Sequence, residues 1–171
     1  YISLLVLILN NMPNEEIIQR CQSLKLPNKD LRIIRKMLDY QDRLPKIEKT
    51  ELRLFRYLLA ERCMQQLQYE LIIRKNLLIN TNEIDYLQVI SIIDEIQKLK
   101  PLKKDYQMID GHWLMAATNL PKGERLGRLK EWLYRLQIEH DLSTIHEVSE
   151  LLCKIQWMDI DFQSWPKLSL L

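Results

Sequence analysis

Residues 124–138 read ERLGRLKEWLYRLQI. Leu126, Leu129, Leu133 and Leu136 recur every three or four positions, so they fall on one face of an α-helix and form its inner stripe. Arg128, Lys130, Glu131 and Arg135 fall mostly on the outer face. Strict alternation, the mark of a half-buried strand, is absent here and is not sustained elsewhere. The composition agrees. The 171 residues include only three glycines and six prolines, so little material exists for hairpin turns, while Leu, Ile, Glu, Lys, Arg and Gln dominate. The expected fold is all-α: two packed helical modules with no significant sheet.

C-terminal to this helix, Thr144 and Glu147 have the spacing of a capping box for a last helix carrying Val148, Leu151 and Leu152. Residues 157–171, with two Trp, are expected to pack back as an extended tail. On the other side, residues 119–123 (NLPKG) form a tight turn after a short helix at 110–117. Residues 98–110, basic and aperiodic around Pro101, mark the boundary between a module at 1–100 and a second at 106–171. Within the first module the spacing predicts a buried helix to about Asn10. A second helix is capped by Asn14 and has Ile17, Ile18, Cys21 and Leu24 on one side. A third, opened by Pro27 and capped by Asn28, buries Leu31, Ile34, Met37 and Leu38 and leaves Arg32, Arg35 and Lys36 outside. A helical tract capped by Thr50 runs over 51–79 with a break near Arg62. After the stop at 80–82, a helix follows with Ile84, Leu87, Ile90, Ile93 and Ile96 inward.

The net charge is only +2, but its distribution is uneven. Residues 98–135 hold nine Lys/Arg against four Asp/Glu, and residues 136–171 hold two against six. A basic stretch before an acidic tail fits an RNA-facing patch as well as a solvated helix face. Cys21, Cys63 and Cys153 are odd in number and lack CxxC spacing, which points to buried thiols in a reducing, cytoplasmic compartment. The apolar run at residues 1–9 is too short to span a bilayer, so no membrane role is expected; a chain that opens inside an apolar helix reads as cut from something longer.

All three glycines, Gly111, Gly123 and Gly127, fall within seventeen residues. In a chain so poor in glycine, this marks a place where backbones or a ligand come close. The turn LPKGERLG (120–127) opens a helix whose free N–H groups, beside Lys122 and Arg125, suit a phosphate. Gly123 would admit a nucleic-acid backbone and Gly127 would admit close helix packing. The alternative is a plain helix–turn–helix whose glycines serve packing alone. His112, His140 and His146 build no metal site, and Asp159-Ile-Asp161, formally a D-x-D pair, reads as solvated charge in the tail. Tyr106, Trp113 and Tyr134 are the aromatic candidates for stacking, and core packing is the stronger expectation for each. Any RNA would therefore be held by shape and phosphates.

IDGHWLM (109–115), LPKGERLG (120–127) and the following amphipathic helix ending QIE (137–139) together resemble the tail region of class II CCA-adding enzymes, the tRNA nucleotidyltransferases. LKLPNKD (24–30) is similar to a stretch in the body of the same family. Trp113 stands where the family has Asp. The family's catalytic head, with its Gly-Gly turn and D-x-D for magnesium, and its nucleotide-selecting template have no counterpart here. The resemblance implies a body-and-tail piece that cradles tRNA and works with a catalytic head encoded upstream or on a partner chain. Magnesium, CTP and ATP would belong to that head, leaving no cofactor and no catalytic residue in this chain. The RNA-binding residues it implies are Lys122, Gly123, Arg125, Arg128 and Arg135 in the tail, with Arg32, Arg35 and Lys36 in the body. The same region of a bacterial-type poly(A) polymerase, or a helical protein-interaction module, are the alternatives.

Overall fold

The computed structural model describes residues 1–9, 11–76, 83–101 and 108–169. Among them the chain is helical with no strand. In order the helices are α1 (Ile2–Leu9), α2 (Asn14–Ser23), α3 (Asn28–Asp39), α4 (Lys49–Leu59), α5 (Cys63–Asn76), α6 (Glu83–Lys98), α7 (Gly111–Thr118), α8 (Glu124–His140) and α9 (Ile145–Lys154). A 3-10 turn at Ala60–Arg62 separates α4 from α5, and another, Phe162–Ser164, lies in the tail. None of the described helices is long and apolar enough to cross a membrane. The expected stop at 80–82 lies outside the described residues, as does Tyr106.

Two compact units result: Tyr1–Lys46 with Leu59–Gln97, and Ile47–Leu58 with Lys98–Leu171. The last of the three boundaries, between Gln97 and Lys98, lies at the start of the basic stretch, and residues 47–58 group with the C-terminal unit. Packing explains this. On α4, Leu54 is fully buried with Ile138, and Tyr57 stacks edge-on against Tyr134 at 5.9 Å. The Arg53 guanidinium donates to the Glu139 carbonyl at 3.1 Å.

In the first unit, Val6, Ile17, Cys21, Ile34, Leu38, Tyr69 and Ile73 form the core. The inner stripe of α3 is as expected, with Leu31, Ile34, Met37 and Leu38 all buried. The capping expectations are corrected. Pro13 and Pro27 take the N-cap positions of α2 and α3, with no side-chain cap, so Asn14 and Asn28 lie inside the helices. Thr50 likewise sits within α4. Leu24, 63% exposed, has left the inner face because α2 ends at Ser23. The face of α6 is partly shifted: Ile96 is buried as expected, but Val89 and Ile92 are buried with it and Leu87 is 55% exposed. Two polar side chains are buried on α5. The Gln66 amide donates to the Met37 carbonyl at 3.2 Å, and Glu70 accepts from the Asp42 N–H at 3.1 Å. They tie the end of α3 and the turn after it to α5.

In the second unit, Ile109, Leu114, Leu126, Leu129, Leu133, Val148, Leu152 and Trp165 make the core. The helix termini are specified by short-range chemistry. Asp110 caps α7 by accepting from the Trp113 N–H at 2.8 Å, and Asn119 closes it in the left-handed region at φ 56°. The expected Thr144–Glu147 capping box opens α9. The tail returns as expected, burying Trp165 against Trp132 and Phe162. Of the thiols, Cys21 and Cys63 are buried but Cys153, on the outer side of α9, is exposed.

Candidate nucleic-acid interface

The sequence pointed to eight residues in two groups. In the tail module the structure places Lys122, Gly123 and Gly127 on one shallow groove of about 350 Å³, together with Gly111, His112 and Lys130. All three glycines of the chain therefore face the same space. An added Cβ at any of them would meet no atom within 4 Å, and none has a positive φ. The expectation that Gly127 permits close helix packing is thus overturned, because nothing packs there. Gly123, the N-cap of α8, is in extended backbone that any residue adopts.

Arg128 and Arg135 lie outside the leucine stripe of α8 as expected but are partly covered, while Arg125 is exposed. The tail lies across them and takes their donors. Arg125 reaches the Trp157 carbonyl at 3.4 Å and sits 5.9 Å from the Trp165 ring centroid. Arg128, its side chain only 14% exposed, pairs with Glu131 and donates to the Trp165 carbonyl at 2.6 Å. Arg135 pairs with Glu139 at 2.6 Å and donates to the carbonyls of Lys167 and Ser169. The Leu168 N–H returns a bond to Glu131 at 2.9 Å. A guanidinium fork matches carbonyl oxygens as readily as phosphate oxygens, and here the peptide occupies it. Lys122 is exposed and, among the described residues, has no such bond.

The body group behaves differently. Lys29, Arg32 and Lys36 stand at i, i+3 and i+7 on α3, so they share a face that spans about 10 Å along the axis. They line a groove of about 420 Å³ whose opposite wall is the break between α4 and α5 and which also contains Arg62. The placement of Arg62 is set by the backbone there: Ala60 adopts φ 49°, the left-handed region that costs a residue with a Cβ about 1–2 kcal/mol. That excursion ends α4 and brings Glu61 and Arg62 to the α3 face. Burial, and then the positive charge of Arg62, hold the Lys36 ammonium below its ordinary pKa. No ion pair among the described residues joins Lys29, Arg32 or Arg62 to a carboxylate. Four cations thus crowd a groove whose one acid is Glu61. Lys29, Arg32 and Arg62, which have no ion pair among the described residues, repel one another and are favoured by an anion that enters.

Arg35 does not join them. It points into a different groove with Glu15, Gln19, Gln22 and Asp39. Lys29 and Arg62 were missed by the sequence reading. The i, i+3, i+7 spacing of Lys29 with Arg32 and Lys36 is a signal in the sequence, but the approach of Arg62 depends on the break and has none.

The aromatic candidates are engaged in packing. Trp113 is part of the tail core, and the Tyr134 hydroxyl is hydrogen-bonded to that of Tyr57. Asp161 caps the tail's 3-10 turn through the Gln163 N–H, and Asp159 is exposed. No cluster of three His, Cys, Asp or Glu side chains able to hold a metal occurs among the described residues. Comparisons with protein-family models, with curated proteins and with solved structures return no match.

Proposed function

We propose that this chain binds structured RNA through its phosphates, and that the RNA is tRNA held for 3′-end nucleotide addition by a separate catalytic head, as its resemblance to CCA-adding enzymes implies. The observation that carries the reading is the crowding of Lys29, Arg32, Lys36 and Arg62 in one groove. The extent of that face, about 10 Å along α3, suits several consecutive backbone charges better than a single small anion. In this reading the body groove, not the arginines of α8, supplies the phosphate contacts, and Lys122 at the tail's glycine-lined groove is a separate candidate.

Filter binding with tRNA across a range of salt tests this. Replacing Arg32, Lys36 or Arg62 singly by Ala weakens binding and removes about one unit from the slope of log K against log salt per lost phosphate contact. Arg35→Ala leaves both nearly unchanged. Loss of affinity in Arg35→Ala alone, with the groove variants unaffected, would mean that the surface is elsewhere. The isolated chain is expected to leave tRNA lacking CCA unextended in the presence of CTP and magnesium, because the head supplies the chemistry.

A second reading, a protein-interaction module, has one observation in its favour. Leu4 and Ile8 of α1 lie one turn apart and are 61% and 69% exposed. It is the better account if tRNA and unrelated RNA both fail to bind.

A further inference from the structure

The cationic groove does not end at Arg62. Beyond it lies a second cavity of about 430 Å³, which shares Ile33, Glu61 and Arg62 with the first and is lined further by Ser3, Asp30 and Gln65. The two adjoin along α3 with different chemistry at their far ends, and Tyr1, Ile2 and Met37 also line the second. One end has Lys29, Arg32 and Lys36; the other has the carboxylate of Asp30, the amide of Gln65 and the hydroxyl of Ser3. Glu61 and Arg62 stand at the junction.

We propose that this second cavity receives one unstacked nucleobase of the RNA whose backbone occupies the cationic end, and that it favours bases bearing an exocyclic amino group. The proposal rests on the RNA reading above and adds a base-specific subsite to it.

Charge decides what can enter each end. A backbone phosphate is attracted to the Lys29–Arg32–Lys36 end and repelled by Asp30. The part of the ligand that reaches Asp30 must therefore carry no negative charge and offer donors. A carboxylate only accepts hydrogen bonds, so it is matched by the amino groups of cytosine, adenine or guanine; uracil's one donor, N3–H, is flanked by two carbonyl oxygens that repel the carboxylate. Gln65 can both donate and accept, and so can complete the pairing of any of these bases. Arg62, between the ends, is placed to contact the phosphate or to lie against the base plane, two roles a guanidinium performs in RNA complexes. A cavity of this size lies in the range of small-ligand sites. Ile33, half-buried on the shared wall, gives the base an apolar surface to rest on.

The test uses the full chain and five RNA hairpins with one stem sequence: unbulged, or with a single bulged A, C, G or U. The expected result is that the A, C and G bulges bind at least fivefold more tightly than the U bulge or the unbulged stem. Asp30→Asn, whose amide can donate to a carbonyl, should erase that preference or turn it toward U while leaving the salt slope unchanged. Arg62→Ala should weaken all five hairpins and lower the slope. Thermal midpoints of both variants establish that they are folded, and Gln65→Ala provides a second reading of the subsite, since it is exposed and outside the core. If the five hairpins bind equally with an undiminished salt slope, the base subsite is refuted while phosphate binding stands. If none binds, both fail.

Discussion

At the residue scale, a buried acid on α5 makes the stability of the chain depend on pH. Glu70 is fully buried, and desolvation, the largest influence, raises its carboxyl above the ordinary value of 4.5 against the lowering effects of the Asp42 N–H, Arg74 and Gln66; the Asp42 carboxylate adds to the rise. Between 4.5 and the higher folded value, the native chain holds a proton that the unfolded chain has released. Stability therefore falls as pH rises through that window. Glu70→Gln removes the titration, so its stability relative to the parent is expected to improve from acid toward neutral pH in urea unfolding. A difference independent of pH would show that Glu70 is not the group responsible. Gly127 offers a cleaner case. It lies inside α8 with open space around its Cα, so Gly127→Ala is expected to stabilise by about 0.5–1 kcal/mol. A lower thermal midpoint in that variant would contradict the open space described. If the variant is more stable yet binds tRNA less well, the glycine serves the ligand.

At the scale of the element, the helices show what periodicity can and cannot deliver. The α3 face was legible because Leu31, Ile34, Met37 and Leu38 are set among charged residues, leaving one possible orientation. In α6 nearly every position from Val89 to Ile93 is apolar, so the pattern did not choose among faces, and tertiary packing selected Val89 and Ile92. Ile92→Ala is thus expected to cost about 2–5 kcal/mol and Leu87→Ala within about 0.5 kcal/mol, measured by urea midpoints. The reverse order would restore the face expected from the sequence. On α8 the outer arginines were legible as outer relative to the leucine stripe, but not as covered, because the covering carbonyls come from some thirty residues downstream. Arg128→Ala, which removes a bond to the Trp165 carbonyl and frees Glu131, should accordingly destabilise by about 1–3 kcal/mol. The capping box of α9 was legible outright, since Thr144 and Glu147 act locally, and Thr144→Ala is expected to cost about 1 kcal/mol.

At the scale of the whole molecule, the all-helical class followed from the scarcity of glycine and the leucine spacing. Membership of residues 47–58 did not. It depends on Leu54, Tyr57 and Arg53 meeting Ile138, Tyr134 and Glu139, some eighty residues away in sequence. Since α4 completes the C-terminal unit, a fragment beginning at Pro101 leaves Ile138 without Leu54 and is expected to melt below the corresponding transition of the full chain. An unchanged midpoint would show that α4 is dispensable to it. The same interleaving bears on inheritance. Exchanging the C-terminal unit between two genes needs three crossover points, after residues 46, 58 and 97, because a single join at the boundary carries over a tail without the helix it packs on. Selection then acts on the two units as one heritable block, and an altered C-terminal unit arises more readily by point substitution than by recombination.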